Sequence, residues 1–517
     1  MDPRSTTGRF GRVANARRIA WLAVGWLVAQ PCSADAPITL TGPDEVLDDP
    51  PAAVSPAHRA TSPGGRIPWG RHVSVQVNVD ALGRNVLGDA ANEPSIVVDP
   101  TDARRLAIAW RQFDSIASNF RQAGTAFSRD GGATWTFPGV LDPGVFRSDP
   151  VLDVDADGTF YLNSLNGSFT CDIFRSTDGG VTWDAGVDAL GGDKQWMAID
   201  RTSGPGRGHV YVAWYPFIGC CFPAMFGRST DGSASFETPI AIGDGLRRGT
   251  MAVGADGAVY VTGHLPTDSG SFAVARSTSL ADGSVLPAFD AVVSVDLGGP
   301  IVRAAGPNPA GLLGQIWVVA DPSDADRIYV LASIDPPGDD PLDVHLVRST
   351  DGGVSWSSPM RIHDDVPGAW QWFGTLSVAP DGRLDAVWND TRGDPDGVRT
   401  VVYTSSSIDG GSTWSEDEPL TPSWDPLLGF PQQDKIGDYY QTISTSNGFH
   451  LAYAATFQGE QDIYYLYVPV PTLFFDGFES GQLDRWSTRE IGRTLPHAGG
   501  LQGNRERQAS TRILLNF

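Results

Sequence analysis

Ser128–Trp135 reads SRDGGATW, Ser176–Trp183 STDGGVTW, Ser229–Phe236 STDGSASF, Ser349–Trp356 STDGGVSW and Ser407–Trp414 SIDGGSTW. These are five copies of one octet, spaced by 48, 53, 120 and 58 residues. The long gap is two ordinary periods, and ARSTSLADG from Ala275 fills it as an eroded sixth copy. The residue types suit a tight turn. The aspartate accepts backbone N–H groups of its own turn, and the glycines supply positive φ. The aromatic residue that closes the octet packs between neighbouring sheets. The five aspartates are therefore read as structural, not catalytic.

Ahead of each octet lies a second repeat: an apolar strand, a Gly/Asp/Asn/Pro turn, and another strand. The copies begin at Pro94, Asp149, Gln195, Gly249, Gly314, Gly374 and Asp438. Seven units of this size predict an all-β propeller of seven four-stranded blades, with six as the alternative. The last unit has one strand after its pair, DIYYLYV from Asp462, and HVSVQVNV from His72 is an orphan. We expect Val73–Val79 to pair with Ile463–Val468 and close the ring. Its alternation predicts Val73, Val75, Val77 and Val79 on the buried face and Ser74, Gln76 and Asn78 on the other. Asp153, Asp155, Asp157 and Gly158 imitate a calcium loop, but Ser164 stands where a bidentate Glu is needed, so the segment reads as a hairpin turn.

Composition agrees with a fold of short strands. The 517 residues include 60 Gly, 38 Pro and 16 Trp. The net charge of −24 disfavours nucleic acid and anionic lipid surfaces as partners. Basic residues Arg4 to Arg18 precede the apolar run Ile19–Ala29, which is too short to span a bilayer and suits an export signal. The expected organisation is a signal peptide over 1–34, a linker over 35–70, the propeller over 71–469 and a short, partly disordered tail over 470–517. A secreted location, extracellular or periplasmic, follows, with no membrane insertion and a monomeric state. One disulfide is expected from Cys171 to the vicinal pair, with Cys220 as its partner and the choice between Cys220 and Cys221 open. No cofactor and no metal site is expected.

The octets resemble the Asp-box, or BNR, repeat of the sialidase superfamily, and the resemblance covers roughly residues 72–468. With WRQFD, FRSDPVL, GGDKQW, WQWFGTLSVAPDGR and KIGDYY, the chain is similar to a secreted bacterial group described as sialidase-like. The resemblance implies a glycan or glycoconjugate as partner and an exo-α-sialidase type of hydrolysis. Family sialidases have six blades, an arginine triad, a Tyr–Glu nucleophile pair and an Asp acid. Carried onto this chain, that pattern makes Tyr439 the nucleophile and Glu460 its base, with Glu93 as runner-up. Asp149 becomes the acid, with Asp114 as its substitute. Arg66 stands in an Arg-Ile-Pro triplet like that of the family's first arginine.

The strand frame places the functional face at the residues just before each first strand and just after each second one. Arg111, Arg147 and Arg392 are the candidate carboxylate clamp on that face. Trp196, Trp370 and Gln371 are candidate sugar contacts. Two other readings stand beside the sialidase one. The first is a non-catalytic propeller that binds glycans or protein. The second is another type of glycoside hydrolase, which needs two carboxylates in the mouth.

Overall fold

A computed structural model describes residues 59–470, apart from 217, 218, 244 and 267. The expected signal peptide, the linker up to 58 and the tail from 471 lie outside the described residues. Within them, no helix is long and apolar enough to cross a membrane.

The chain forms seven antiparallel sheets around one axis, as the repeats predict. Blade 1 comprises Ala90–Val98, Leu106–Phe113, Arg121–Ser128 and Val140–Leu141. Blade 2 comprises Arg147–Val154, Phe160–Asn166, Cys171–Ser176 and Val187–Asp188. Blade 3 keeps Trp196–Ile199, Val210–Ala213 and Phe226–Ser229, and a lone bridge from Phe226 to Ile240 marks its fourth strand. Blade 4 runs from Met251–Val253 through Val259–Leu265 and Asp268–Ser277 to Ala291–Val295. Blade 5 runs from Trp317–Ala320 through Ile328–Ile334 and Asp343–Ser349 to Met360–Arg361. Blade 6 runs from Gln371–Val378 through Leu384–Asp390 and Val401–Ser407 to Glu418–Pro419.

Blade 7 closes the ring with both ends of the propeller. Its sheet orders Gln441–Thr445, Gly448–Ala455, Asp462–Pro469, His72–Gln76 and Arg66–Trp69. Val75 pairs with Tyr465 and Gln76 with Tyr464, and Val77 N donates to Ile463 O at 2.8 Å. The closing strand is therefore where the alternation placed it, but its faces are exchanged. Val73 is exposed, whereas His72, Ser74 and Gln76 are buried. The polar side chains face inward because each finds a partner there. Tyr453 Oη donates to Ser74 Oγ at 2.6 Å, and Gln76 Nε2 donates to Asn85 Oδ1 at 2.6 Å. Farther along, Val77 and Val79 are buried as expected. The extra strand Arg66–Trp69 and the short strand Thr61–Pro63 occupy the end of the segment read as linker. Arg66 lies on the outer edge of blade 7, exposed, with Nη1 on Ala133 O, so it is not at the axis.

The octets build one turn five times. In the first, Ser128 Oγ donates to Asp130 Oδ1, Gly132 N donates to Ser128 Oγ, and Thr134 N and Oγ1 donate to the two Asp130 oxygens. The same lattice recurs around Asp178, Asp231, Asp351 and Asp409. Blade 4 has Ser279 in the aspartate position, and only a long Ser277–Ser279 contact of 3.4 Å remains. Trp135, at the end of the first octet, packs on Tyr465 of blade 7 at 5.2 Å between centroids. Asp155, in the calcium-like segment, accepts Asp157 N and Thr159 N at 2.9 Å, which is a hairpin turn.

The disulfide expectation is corrected. Cys220 and Cys221 are bonded to each other, and Cys171 is free and buried. The Cys171 thiol points at Gly192 O, 3.5 Å away, and its Sγ lies where a side chain on Gly191 would sit.

Candidate functional site

Every inner strand carries a left-handed residue within its first residues or shortly before it. In blade order these are Glu93 (φ 52°), Asp149 (47°), Lys194 (55°), Arg248 (56°), Gly314 (146°), Phe373 (56°) and Gly437 (92°). In blades 1, 2 and 6 the ladder register slips at this point, between Asn92 and Ser95, opposite Asp149, and between Trp372 and Thr375. Positive φ is costly for residues other than glycine, by roughly 1–3 kcal/mol each, and such outliers gather at functional sites. Four of these seven residues are charged: Glu93, Asp149, Lys194 and Arg248.

Lys194 Nζ contacts Asp438 Oδ2 at 2.5 Å and Asp149 Oδ2 at 3.5 Å. Lys435 Nζ contacts the same Asp438 oxygen at 2.8 Å and Glu93 Oε1 at 3.7 Å. Arg111 Nε lies 3.1 Å from Glu93 Oε2 and donates to Asn92 Oδ1 at 2.9 Å. Ser148 Oγ donates to Asp149 Oδ1 at 2.6 Å, and Gln195 Nε2 donates to Asp149 O. All these ionisable groups are buried.

The two carboxylates of the first two blades are held in opposite states. Glu93 accepts no hydrogen bond at either oxygen. Burial, helped by Asp149 and Asp438 and opposed by Arg111, raises it to about 7. Burial pushes Asp149 the same way, but Lys194, Arg111 and the Ser148 hydroxyl outweigh it and bring Asp149 down to about 2. Asp193 is raised to about 6, chiefly by burial. Tyr439 is buried with its phenol donating to Pro150 O at 3.0 Å. Burial and the neighbouring Glu93 and Asp149 push that phenol well above 10.

The residues expected at the site divide into two groups. Arg111, Asp149 and Tyr439 belong to the axial cluster. Trp196 joins them as a buried packing residue, with its ring 5.6 Å from Tyr439 and 5.1 Å from Trp317. Arg147 is tied to Asp142 and Asp172 within blade 2 and covers the Phe174 ring. Arg392 is tied to Asp390, Asp364 and Asp417 in blade 6 and covers Tyr403. Each of the three expected clamp arginines thus has its own carboxylate partners. Glu460 accepts from Asn85 Nδ2 at 2.7 Å and Gly88 N at 2.8 Å, and lies with Asp89 and Asp462 instead of Tyr439. Gln371 is buried on Asp365, and Trp370 is half-buried against Gly306.

Arg121, Asp193 and Arg248 were missed by the sequence reading. Arg121 and Arg248 act electrostatically on Asp438 and Asp193. Glu93, Asp149, Lys194 and Arg248 fall in one column when the seven strand copies are aligned, and that column was the available signal. A hairpin of Arg303–Ala305 and Asn308–Leu312 covers this cluster from the blade 7 side. Leu312 N donates to Asp438 Oδ1 at 2.9 Å, and Asn308 Nδ2 donates to Gly437 O at 2.8 Å.

No protein-family profile matches the chain, and no curated protein is similar to it in sequence. Solved structures are similar in chain course. A protein of unknown function from Dyadobacter fermentans is 16% identical, with 77% of this chain and 98% of that one covered at a TM-score of 0.45. The lectin BP39L from Burkholderia pseudomallei is 12% identical, with 68% and 95% covered at 0.45. A GH74 xyloglucanase from Xanthomonas campestris is 18% identical, with 84% of this chain and 61% of the enzyme covered at 0.43.

Proposed function

We propose that this chain is an exported glycan-acting enzyme of glycoside hydrolase type, with Glu93 as proton donor and Asp149 as its ionised partner. The observation that carries the reading is the unequal surroundings of two buried axial carboxylates: Asp149 Oδ2 lies 3.5 Å from Lys194 Nζ and its Oδ1 accepts from Ser148 Oγ, whereas neither oxygen of the buried Glu93 is hydrogen-bonded, so burial raises Glu93 while its neighbours lower Asp149. Cleavage of a glycosidic bond needs one carboxyl group that holds its proton and one that does not. Burial raises Glu93 against the pull of Arg111 and Lys435, so a fraction of it holds its proton near neutrality. Asp149 stays charged because Lys194 and Arg111 face it. A developing oxocarbenium ion would be stabilised by that fixed negative charge.

A sialidase mechanism through Tyr439 would need the reverse, an ionised glutamate beside the phenol and a protonated aspartate. The two-carboxylate form is therefore the reading we favour.

One observation favours a second reading, a glycan-binding propeller without turnover. The axial charges satisfy one another and are buried, as in a structural hub. Aryl glycosides of the common sugars and a fluorogenic sialoside, tested from pH 4 to 8, separate the readings. Turnover that is lost in Glu93→Gln supports the enzyme. Saturable binding on a glycan array with no product supports the binder.

A further inference from the structure

Asp89, Glu460 and Asp462 each present a carboxylate oxygen, and these oxygens lie within 4.8 Å of one another. The three residues come from the two ends of the propeller. Asp89 directly precedes the inner strand of blade 1. Asp462 opens the third strand of blade 7, beside the closing strand, and Glu460 lies in the turn just before it. The cluster therefore sits on the seam of the ring.

Each carboxylate is oriented by neutral donors. Gln112 Nε2 donates to Asp89 Oδ2 at 2.9 Å, and Asn78 Nδ2 donates to Asp462 Oδ1 at 2.9 Å. Asn85 Nδ2 and Gly88 N hold Glu460. The remaining oxygens, Asp89 Oδ1 and Asp462 Oδ2, are buried and have no hydrogen-bond partner. Asp89 is 3% exposed and Asp462 0%. Among the described residues no basic side chain makes an ion pair with any of the three. Arg59, the cation that acts on Asp89, is committed to Asp114 at 2.7 Å. Buried carboxylate oxygens that face one another without a counter-charge are costly.

We propose that Asp89, Glu460 and Asp462 form a calcium site that fastens the first blade to the last. The donor set is all oxygen, which suits a hard cation, and the half-buried Glu460 leaves a side open to water ligands. Calcium tolerates irregular geometry and takes 6–8 oxygens, so three carboxylates plus water fit it better than magnesium. The other cluster of this kind, Asp343, His363 and Asp365, has a basic neighbour in Arg361, whose Nη1 lies 3.9 Å from Asp343 and 3.7 Å from Asp365. His363 Nδ1 donates to Asp365 at 2.5 Å, its Nε2 lies 3.1 Å from Asp343, and the two aspartates raise the imidazole against the effect of burial.

The test uses the full chain, stripped with chelator and dialysed at pH 8. Calorimetric titration with calcium chloride should give one ion per chain, with a Kd on the order of 10⁻⁴ to 10⁻³ M or tighter, as in extracellular modules. Calcium should raise the melting temperature more than magnesium does. Asp462→Asn and, separately, the milder Glu460→Gln should weaken binding by at least about tenfold. Asp343→Asn should leave it unchanged. No calcium binding by the wild-type chain would overturn the proposal. Binding that survives in the folded Glu460→Gln chain, or that depends on Asp343, would overturn it as well.

Discussion

Lys194 of blade 3 and Asp438 of blade 7 meet at 2.5 Å, although 244 residues separate them in the chain. The contact spans the ring, and Lys435 and Leu312 N share the same aspartate. Lys194→Met leaves Asp149 and Asp438 buried with less compensation. We expect a loss of about 3–5 kcal/mol, the cost of breaking a buried pair from one side. Adding Asp438→Asn should recover part of it, so the double variant costs less than the sum of the singles. Urea unfolding of the four chains measures this, and strict additivity would contradict the coupling.

Glu93 links stability to pH. Its ordinary value is 4.5 and its folded value about 7, so between those values folding takes up a proton. Its contribution is therefore greatest below 4.5 and falls as pH rises to about 7. Relative to Glu93→Gln, the wild type should lose up to about 1.4 kcal/mol per pH unit across that window. Asp149 works in a lower window. Its stabilisation is in place above 3.8 and is lost as pH falls toward 2. Unfolding free energies of both chains from pH 4 to 8 check the first slope. A difference that stays flat contradicts it.

Ring closure predicts unequal truncations. A chain that begins at residue 59 retains every strand of blade 7. One that begins at residue 81 loses Arg66–Trp69 and His72–Gln76, bares the edge of Asp462–Pro469, and removes the partner of Tyr453 Oη. The shorter chain should melt far below the longer one, by more than the ~1 kcal/mol of an average point substitution. Equal melting temperatures would mean that the closing strand contributes nothing.

The octet aspartates should be dispensable for chemistry. Asp178 serves Ser176, Thr182 and its own turn. Asp178→Ala should cost about 1 kcal/mol for each hydrogen bond whose donor cannot turn to water. It should leave glycan binding and turnover unchanged. A selective loss of activity without loss of stability would refute the structural reading.

The blades were legible in the sequence because each octet is a local hydrogen-bonded turn. Its signal survives wherever the residues of the turn survive, and even blade 4 kept its serines. The closing strand was legible from its alternation, but its faces were not. Arg66–Trp69 covers its outer edge, and Tyr453 and Asn85 offer partners for polar side chains from far along the chain. The site was legible in part. Arg147 and Asp149 are two residues apart, yet only Asp149 occupies the left-handed bulge position that brings it to Lys194. Periodicity alone does not reveal a bulge, so Arg147 and Arg392 were placed in a clamp they do not form. Glu460 was misassigned for a similar reason. It lies in the turn before a third strand, and its carboxylate turns to the ring seam instead of toward Tyr439.

The most direct test of the Glu93–Asp149 assignment is the leaving-group dependence of Glu93→Gln on whichever aryl glycoside the wild type cleaves. A proton donor matters most for poor leaving groups. The account predicts that the variant loses about 10²–10⁴-fold in kcat/KM with a poorly activated leaving group. It should keep most of its rate with dinitrophenyl leaving groups, and the wild-type profile should fall above an apparent pKa near 7. Equal losses with both leaving groups, or no turnover of any glycoside by the wild-type chain, would contradict it.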